Sequence, residues 1–198
     1  DRAVRPTPSG GNDTIASAVI NLNGGPLLFD GSDQIADSTD VVLAGGTMKL
    51  GGGGGSFTET LGTLTLAADS AIDFGGAAVD WQLFFADSSN IAWDEDATLT
   101  ILNWNGTPTD GDGNDRLHFG TNSGGLSSSQ LSQIVFADYE DGFFNSHLAD
   151  GEVLPAVPEP SVAIGAGLLL VFAGGHILWQ RRRRKSQFLD AAESKIDP

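Results

Sequence analysis

The sequence predicts an all-β body followed by one C-terminal transmembrane helix, and three observations carry that expectation. Between Ile15 and Phe136, short apolar runs recur at about 8–12-residue spacing, separated by Gly, Asp, Asn and Ser. Glycine supplies 27 of 198 residues while tyrosine and methionine occur once each, a composition suited to a turn-rich β chain. Finally, the 18 residues from Val162 to Trp179 hold no formal charge and run directly into Arg181–Lys185. For the β body a short β-solenoid is the favoured architecture and a β-sandwich the alternative.

The strand text begins with Val19–Leu22 and continues through Val41–Leu43, Thr47–Leu50, Thr63–Leu66 and Ala71–Phe74. Leu83–Phe85, Ile91–Trp93, Thr98–Leu102 and Leu117–Phe119 complete the series. Leu64 and Leu66 alternate with Thr63 and Thr65, and Leu99 and Ile101 with Thr98 and Thr100. This period of two buries one face and wets the other. One short soluble helix is expected at Ser127–Gln133, where Ser127 to Ser129 offer a cap before Leu131 and Ile134. The five glycines Gly51–Gly55 are followed by Ser56-Phe57-Thr58-Glu59. Without a following Lys and Ser/Thr they read as a connector and not a phosphate loop.

Charge divides the chain as sharply as hydropathy does. Residues 1–157 carry 22 Asp/Glu against Arg2, Arg5, Lys49 and Arg116, and residues 181–198 carry a net +3. The overall charge of −16 excludes a nucleic-acid binder, which needs basic patches to neutralise phosphate. With no cysteine there is no disulfide scaffold, thiolate metal site or cysteine nucleophile. Ala163–Phe172 is apolar all round, where a soluble helix normally keeps a polar stripe, and His176 is the only strongly polar side chain in Val162–Trp179. As a helix it spans about 27 Å, enough for a hydrocarbon core. The positive-inside rule then sets Arg181, Arg182, Arg183, Arg184 and Lys185 in the cytoplasm and residues 1–157 outside. The implied organisation is a flexible segment at 1–14, a Gly/Asp-rich β domain at 15–154 and a proline linker at 155–161. A transmembrane helix at 162–180 and a basic cytoplasmic tail at 181–198 follow. Because the sequence opens at Asp1 without Met or an apolar stretch, an export signal is expected to have been removed or to lie upstream.

Immediately before the apolar run stands Val157-Pro158-Glu159-Pro160-Ser161. Two prolines fix φ, remove amide donors and hold their predecessors extended, the shape a protease binds. This order of Pro-Glu-Pro, apolar helix and arginine cluster resembles the PEP-CTERM sorting signal of exported bacterial proteins. The resemblance implies recognition of Pro158, Glu159 and Pro160 by exosortase, a membrane-embedded processing enzyme, with Arg181–Arg184 as the stop signal. It further implies delivery to the cell surface or the extracellular matrix of a biofilm. The chain departs from that pattern in continuing thirteen residues beyond Lys185. Within the body, Leu61–Phe74 is similar to the strand repeats of autotransporter passenger proteins, which implies stacked right-handed β-helical rungs.

Chemistry-bearing candidates are few. Asp110, Asp112, Asn114 and Asp115 set oxygen ligands at alternate positions, as at the start of a calcium loop, with Ca²⁺ the added cofactor. Asp115 and Thr121 stand where an EF-hand needs Gly and Glu, so only a non-EF site fits, and a solvated acidic turn is the simpler reading. Trp81, Trp93 and Trp104 offer flat indole faces for stacking on sugar rings, against the commoner role of aromatic core packing. Asp94/Glu95/Asp96 and Glu140/Asp141 are carboxylate neighbours without the opposed geometry of a glycosidase pair. His118 and His147 are too few for a three-His metal site, and no Gly-x-Ser-x-Gly elbow occurs. Asn12-Asp13-Thr14 and Asn105-Gly106-Thr107 fit the glycosylation pattern and read as ordinary turns. The expected function is a non-enzymatic exported surface or matrix protein, its acidic body a partner for extracellular polysaccharide through divalent cations. The alternative is a carbohydrate-binding β module displayed at the cell surface.

Overall fold

The computed structural model describes residues 18–52, 54–76, 79–108, 111, 113–139, 144–147 and 149–156, with 144–147 and 156 described by backbone alone. The chain divides into units after Val157, and every described residue belongs to the first. The strands are β1 (Val19–Leu22), β2 (Pro26–Phe29), β3 (Asp40–Ala44), β4 (Thr47–Leu50), β5 (Gly55–Leu61), β6 (Leu64–Ala68) and β7 (Ser70–Asp73). They continue with β8 (Val79–Phe85), β9 (Leu99–Leu102), β10 (Arg116–Phe119), β11 (Ile134–Phe136), β12 (Phe144–His147) and β13 (Val153–Ala156). One helix, α1 (Ser128–Ser132), precedes β11.

From β1 to β11 consecutive strands go to different sheets, so all pairing among them is parallel. The sheets run β1-β3-β6, β10-β8-β5 and β11-β9-β7-β4-β2, and β12-β13 forms a separate antiparallel pair. In-register parallel pairing places like parity on like parity, so buried residues form columns. Leu27, Met48, Ile72, Ile101 and Phe136 are successive partners across the five-stranded sheet. Leu61, Phe85 and Phe119 form a second column, in which the two Phe rings stack at 5.1 Å. These columns meet in one apolar core with Val41, Leu43, Leu64, Leu66, Trp81 and Leu99. Each fully buried Leu, Ile or Phe contributes about 1.5–3 kcal/mol of transfer free energy, which makes this core the main stabiliser.

The expected fold class needs correction in two respects. A short solenoid requires a near-constant return, but partner residues lie 21 apart at Val19–Asp40, 24 at Gly55–Val79, 29 at Ser70–Leu99 and 35 at Leu99–Ile134. Excursions between β8 and β9, β9 and β10, and β10 and β11 lengthen the later returns and leave sheets of unequal size. A sandwich fails too, since two facing antiparallel sheets are not what pairs here. Secondly, among the described residues no helix is long and apolar enough to cross a membrane. The 162–180 segment assigned to a transmembrane helix lies outside the described residues, as does the 181–198 tail.

Local expectations fared differently from the global one. The helix is present, with Ser127 as N-cap and a reciprocal capping box to Gln130. Ile91–Trp93 is a turn and not a strand. Its placement follows from Trp93, whose Nε1 donates to the Leu64 carbonyl at 2.9 Å and draws the turn over β6.

Candidate functional site

On the outward face of β5-β8-β10, parallel register builds two columns, Thr58–Gln82–Arg116 and Thr60–Phe84–His118. Against β10 lies the turn Asp150-Gly151-Glu152, joined by an antiparallel bridge between His118 and Glu152. Gly151 makes that approach feasible. It takes φ +93°, and a Cβ there would sit 2.6 Å from the Gly120 carbonyl oxygen and 2.8 Å from that of Phe119. The Phe119 amide donates to the Gly151 carbonyl at 2.9 Å, which fixes Asp150 and Glu152 on either side of the bond.

The result is a charged cluster. Ligand-type atoms of His118, Asp150 and Glu152 lie within 4.8 Å of one another. Arg116 Nη2 is 2.8 Å from Glu152 Oε2 and 3.0 Å from Asp150 Oδ2, and its Nε donates to Glu152 Oε2 at 3.0 Å. His118 stacks flat on Phe84, with ring centroids 4.5 Å apart. Burial alone would raise the Asp150 carboxyl, but the Glu152 amide, His118 and Arg116 outweigh it and hold its pKa below the ordinary value. One imidazole and two carboxylates are a donor set for a divalent cation. Here the guanidinium already supplies the positive charge that such a cation would bring. The cluster therefore acts as an ion-pair clamp that closes the free edge of β10.

Two further carboxylates are built into the interior. Glu59 is fully buried in the column Glu59–Leu83–Leu117, where its parity puts it among leucines. Its Oε2 and Oε1 accept from the Gln34 and Ile35 amides, both at 2.8 Å. Burial pushes its pKa up to about 7, against the lowering effect of those two amides, with Asp33 and Asp37 adding to the rise. The carboxylate thereby ties the turn after β2 over the edge of β5, where Asp33 N also donates to the Thr58 carbonyl at 3.1 Å. Asp115, also fully buried, accepts from Trp81 N at 3.0 Å and Asn105 N at 2.8 Å. Burial raises its pKa, opposed by the same two amides.

The tryptophans proposed for sugar stacking require correction. Trp81, Trp93 and Trp104 are 0%, 8% and 5% exposed, so none presents an indole face to solvent. Trp81 packs between Phe57 and Phe29 and donates to the Gly51 carbonyl at 3.0 Å. Trp104 packs edge-on against Phe136 and Tyr139. Of the calcium candidates, Asp110 and Asp112 lie outside the described residues, Asn114 is exposed, and Asp115 is turned inward with both oxygens engaged by amides. Asp94, Glu95 and Asp96 are all exposed, and Glu140 and Asp141 lie outside the described residues. So do Val157, Pro158, Glu159, Pro160 and Ser161, and with them Arg181, Arg182, Arg183, Arg184 and Lys185.

Sequence reasoning missed Glu59 and the Arg116 cluster. Glu59 was detectable: it shares parity with Phe57 and Leu61 in a strand that otherwise alternates. The cluster gave no such signal, because Arg116 and Glu152 are 36 residues apart. Comparison with protein-family models, with curated proteins and with solved structures found no match for this chain.

Proposed function

We propose that this chain is a non-enzymatic exported surface or matrix protein, with the acidic β body as its working part and the tail as a sorting signal. What supports this reading is a boundary. The first compact unit ends at Val157 and its last strand at Ala156, while the Val157–Ser161 motif begins at that same point. Cleavage within Pro158–Pro160 would leave every sheet pairing among the described residues intact, which is what a processing enzyme of the exosortase kind requires of its cargo. The buried carboxylates lend secondary support. Glu59, Asp115 and Glu152 are engaged in holding turns and strands together, and the other described acids are exposed or half-buried. That exterior keeps the body soluble and can bridge to extracellular polysaccharide through divalent cations.

The test is the intact mass of the protein from its native host, wild type against Glu159→Ala/Pro160→Ala. A wild-type form ending between Val157 and Pro160, absent in the variant, is the expected result. A C-terminus at Pro198 in both proteins would overturn the sorting reading.

A further inference from the structure

A cleft of about 580 Å³ lies between the turn after β8 and helix α1, away from the Arg116 cluster. Its walls are fixed before any ligand arrives. Gln130 Nε2 donates to the Ser88 and Ile91 carbonyls, both at 2.9 Å, and Gln133 Nε2 to those of Asp94 and Ala97 at 2.6 and 2.8 Å. The capping box holds the first turn of α1, and the Trp93–Leu64 hydrogen bond holds the indole at the base of the opposite wall. Four backbone carbonyls bound by two side-chain amides make a preorganised recess, so little ordering entropy remains for a ligand to overcome.

The lining decides what the recess accepts. Ile91 and Ala92 supply a small apolar patch beside the buried Trp93, and Asn90, Glu95, Ser129 and Ser132 supply polar groups around it. All four of those polar residues are exposed. Ser132 Oγ donates to the Ser129 carbonyl and so keeps its lone pairs for an incoming donor. Among the described residues no Lys or Arg lines the cleft and Glu95 is its only charged side chain, and the chain carries a net charge of −16. Phosphates, sulfates and uronates are repelled by that field. The volume falls within the range of small-ligand sites, which combine an apolar surface with a few convergent polar groups.

We infer that this cleft is a binding site for a neutral, hydroxylated ligand, a sugar unit of a glycan chain. The C–H face of a pyranose matches the Ile91–Ala92 patch, and its hydroxyls both donate to Glu95 and Asn90 and accept from Ser129. The inference is independent of the sorting proposal, because it concerns the folded body whether or not the tail is processed. It also moves the sugar-binding surface from the three buried indole faces to the α1 cleft.

The test is calorimetric titration of the full chain with neutral tetrasaccharides of glucose (α- and β-linked) and of N-acetylglucosamine, with polygalacturonate and spermidine alongside. A parallel ¹H–¹⁵N spectrum follows the Trp93 indole cross-peak. Saturable binding of at least one neutral sugar is expected, with displacement of that cross-peak and none for polygalacturonate. The Asn90→Ala/Ser129→Ala variant changes only exposed side chains and is expected to bind at least tenfold more weakly at unchanged unfolding temperature. Failure of all three sugars to bind would overturn the inference, as would equal affinity in the variant. Saturable binding of spermidine alone would replace it with a cation site at Glu95.

Discussion

Replacing Glu59 with Gln isolates the most unusual electrostatic feature of the fold. The carboxyl titrates near pH 7 in the folded chain against 4.5 unperturbed, chiefly because burial disfavours its charge. A raised folded-state pKa means that the folded chain binds the proton more tightly than the unfolded one. The resulting stabilisation is complete below about pH 4.5 and is lost as pH rises through 7. At 1.36 kcal/mol per unit, the interval corresponds to about 3 kcal/mol. For a body of this size that is roughly 6–12 °C in melting temperature. Thermal and urea unfolding of wild type and Glu59→Gln between pH 4.5 and 8 measures it. The general relief of acidic self-repulsion on lowering pH affects both proteins and cancels in the difference. The wild type is expected to gain up to about 3 kcal/mol relative to the variant across that range. Parallel pH profiles would refute the argument, and would mean that the Gln34 and Ile35 amides keep Glu59 at an ordinary carboxylate pKa despite its burial.

Three other substitutions probe the remaining internal contacts. Arg116→Ala leaves the fully buried Glu152 without its guanidinium. A loss of about 3–5 kcal/mol is expected, with faster hydrogen exchange at Val153 and Leu154 and partial recovery on adding Glu152→Gln. Asp115→Ala deprives two amides of their acceptor, at about 1–3 kcal/mol each, and Asp115→Asn is expected to recover about half in urea unfolding. Gly151→Ala should destabilise more than Gly24→Ala in thermal unfolding. Both glycines have positive φ, but an added Cβ meets nothing within 4 Å at Gly24 and backbone oxygens below 3 Å at Gly151.

Most of what is local in this molecule was determined by the sequence itself. The parity of Leu64 and Leu66 against Thr63 and Thr65 states which side chains are buried, and they are. Ser127 three residues before Gln130 states where the helix starts, and both halves of the capping box form. Such signals survive because they depend on neighbours within one strand or one turn.

What the tertiary structure alone decided depends on partners 21–36 residues away. Nothing within β8 announces that it pairs in parallel with β5 and β10, and irregular excursions hide the return length that would have identified the stacking. That is why the solenoid-or-sandwich expectation failed although eight of the thirteen described strands were located at least in part. Burial of an amphipathic residue is likewise a property of the assembled core. An indole can stack on a sugar or fill a cavity with its N–H on a carbonyl, and the Gly51 and Leu64 carbonyls settled that choice for Trp81 and Trp93. Glu59 is the same lesson with the opposite polarity. Its position in the alternation marked it as inward-facing, but only the amides of a turn 24 and 25 residues earlier in the chain supply the hydrogen bonds that let a carboxylate stay there.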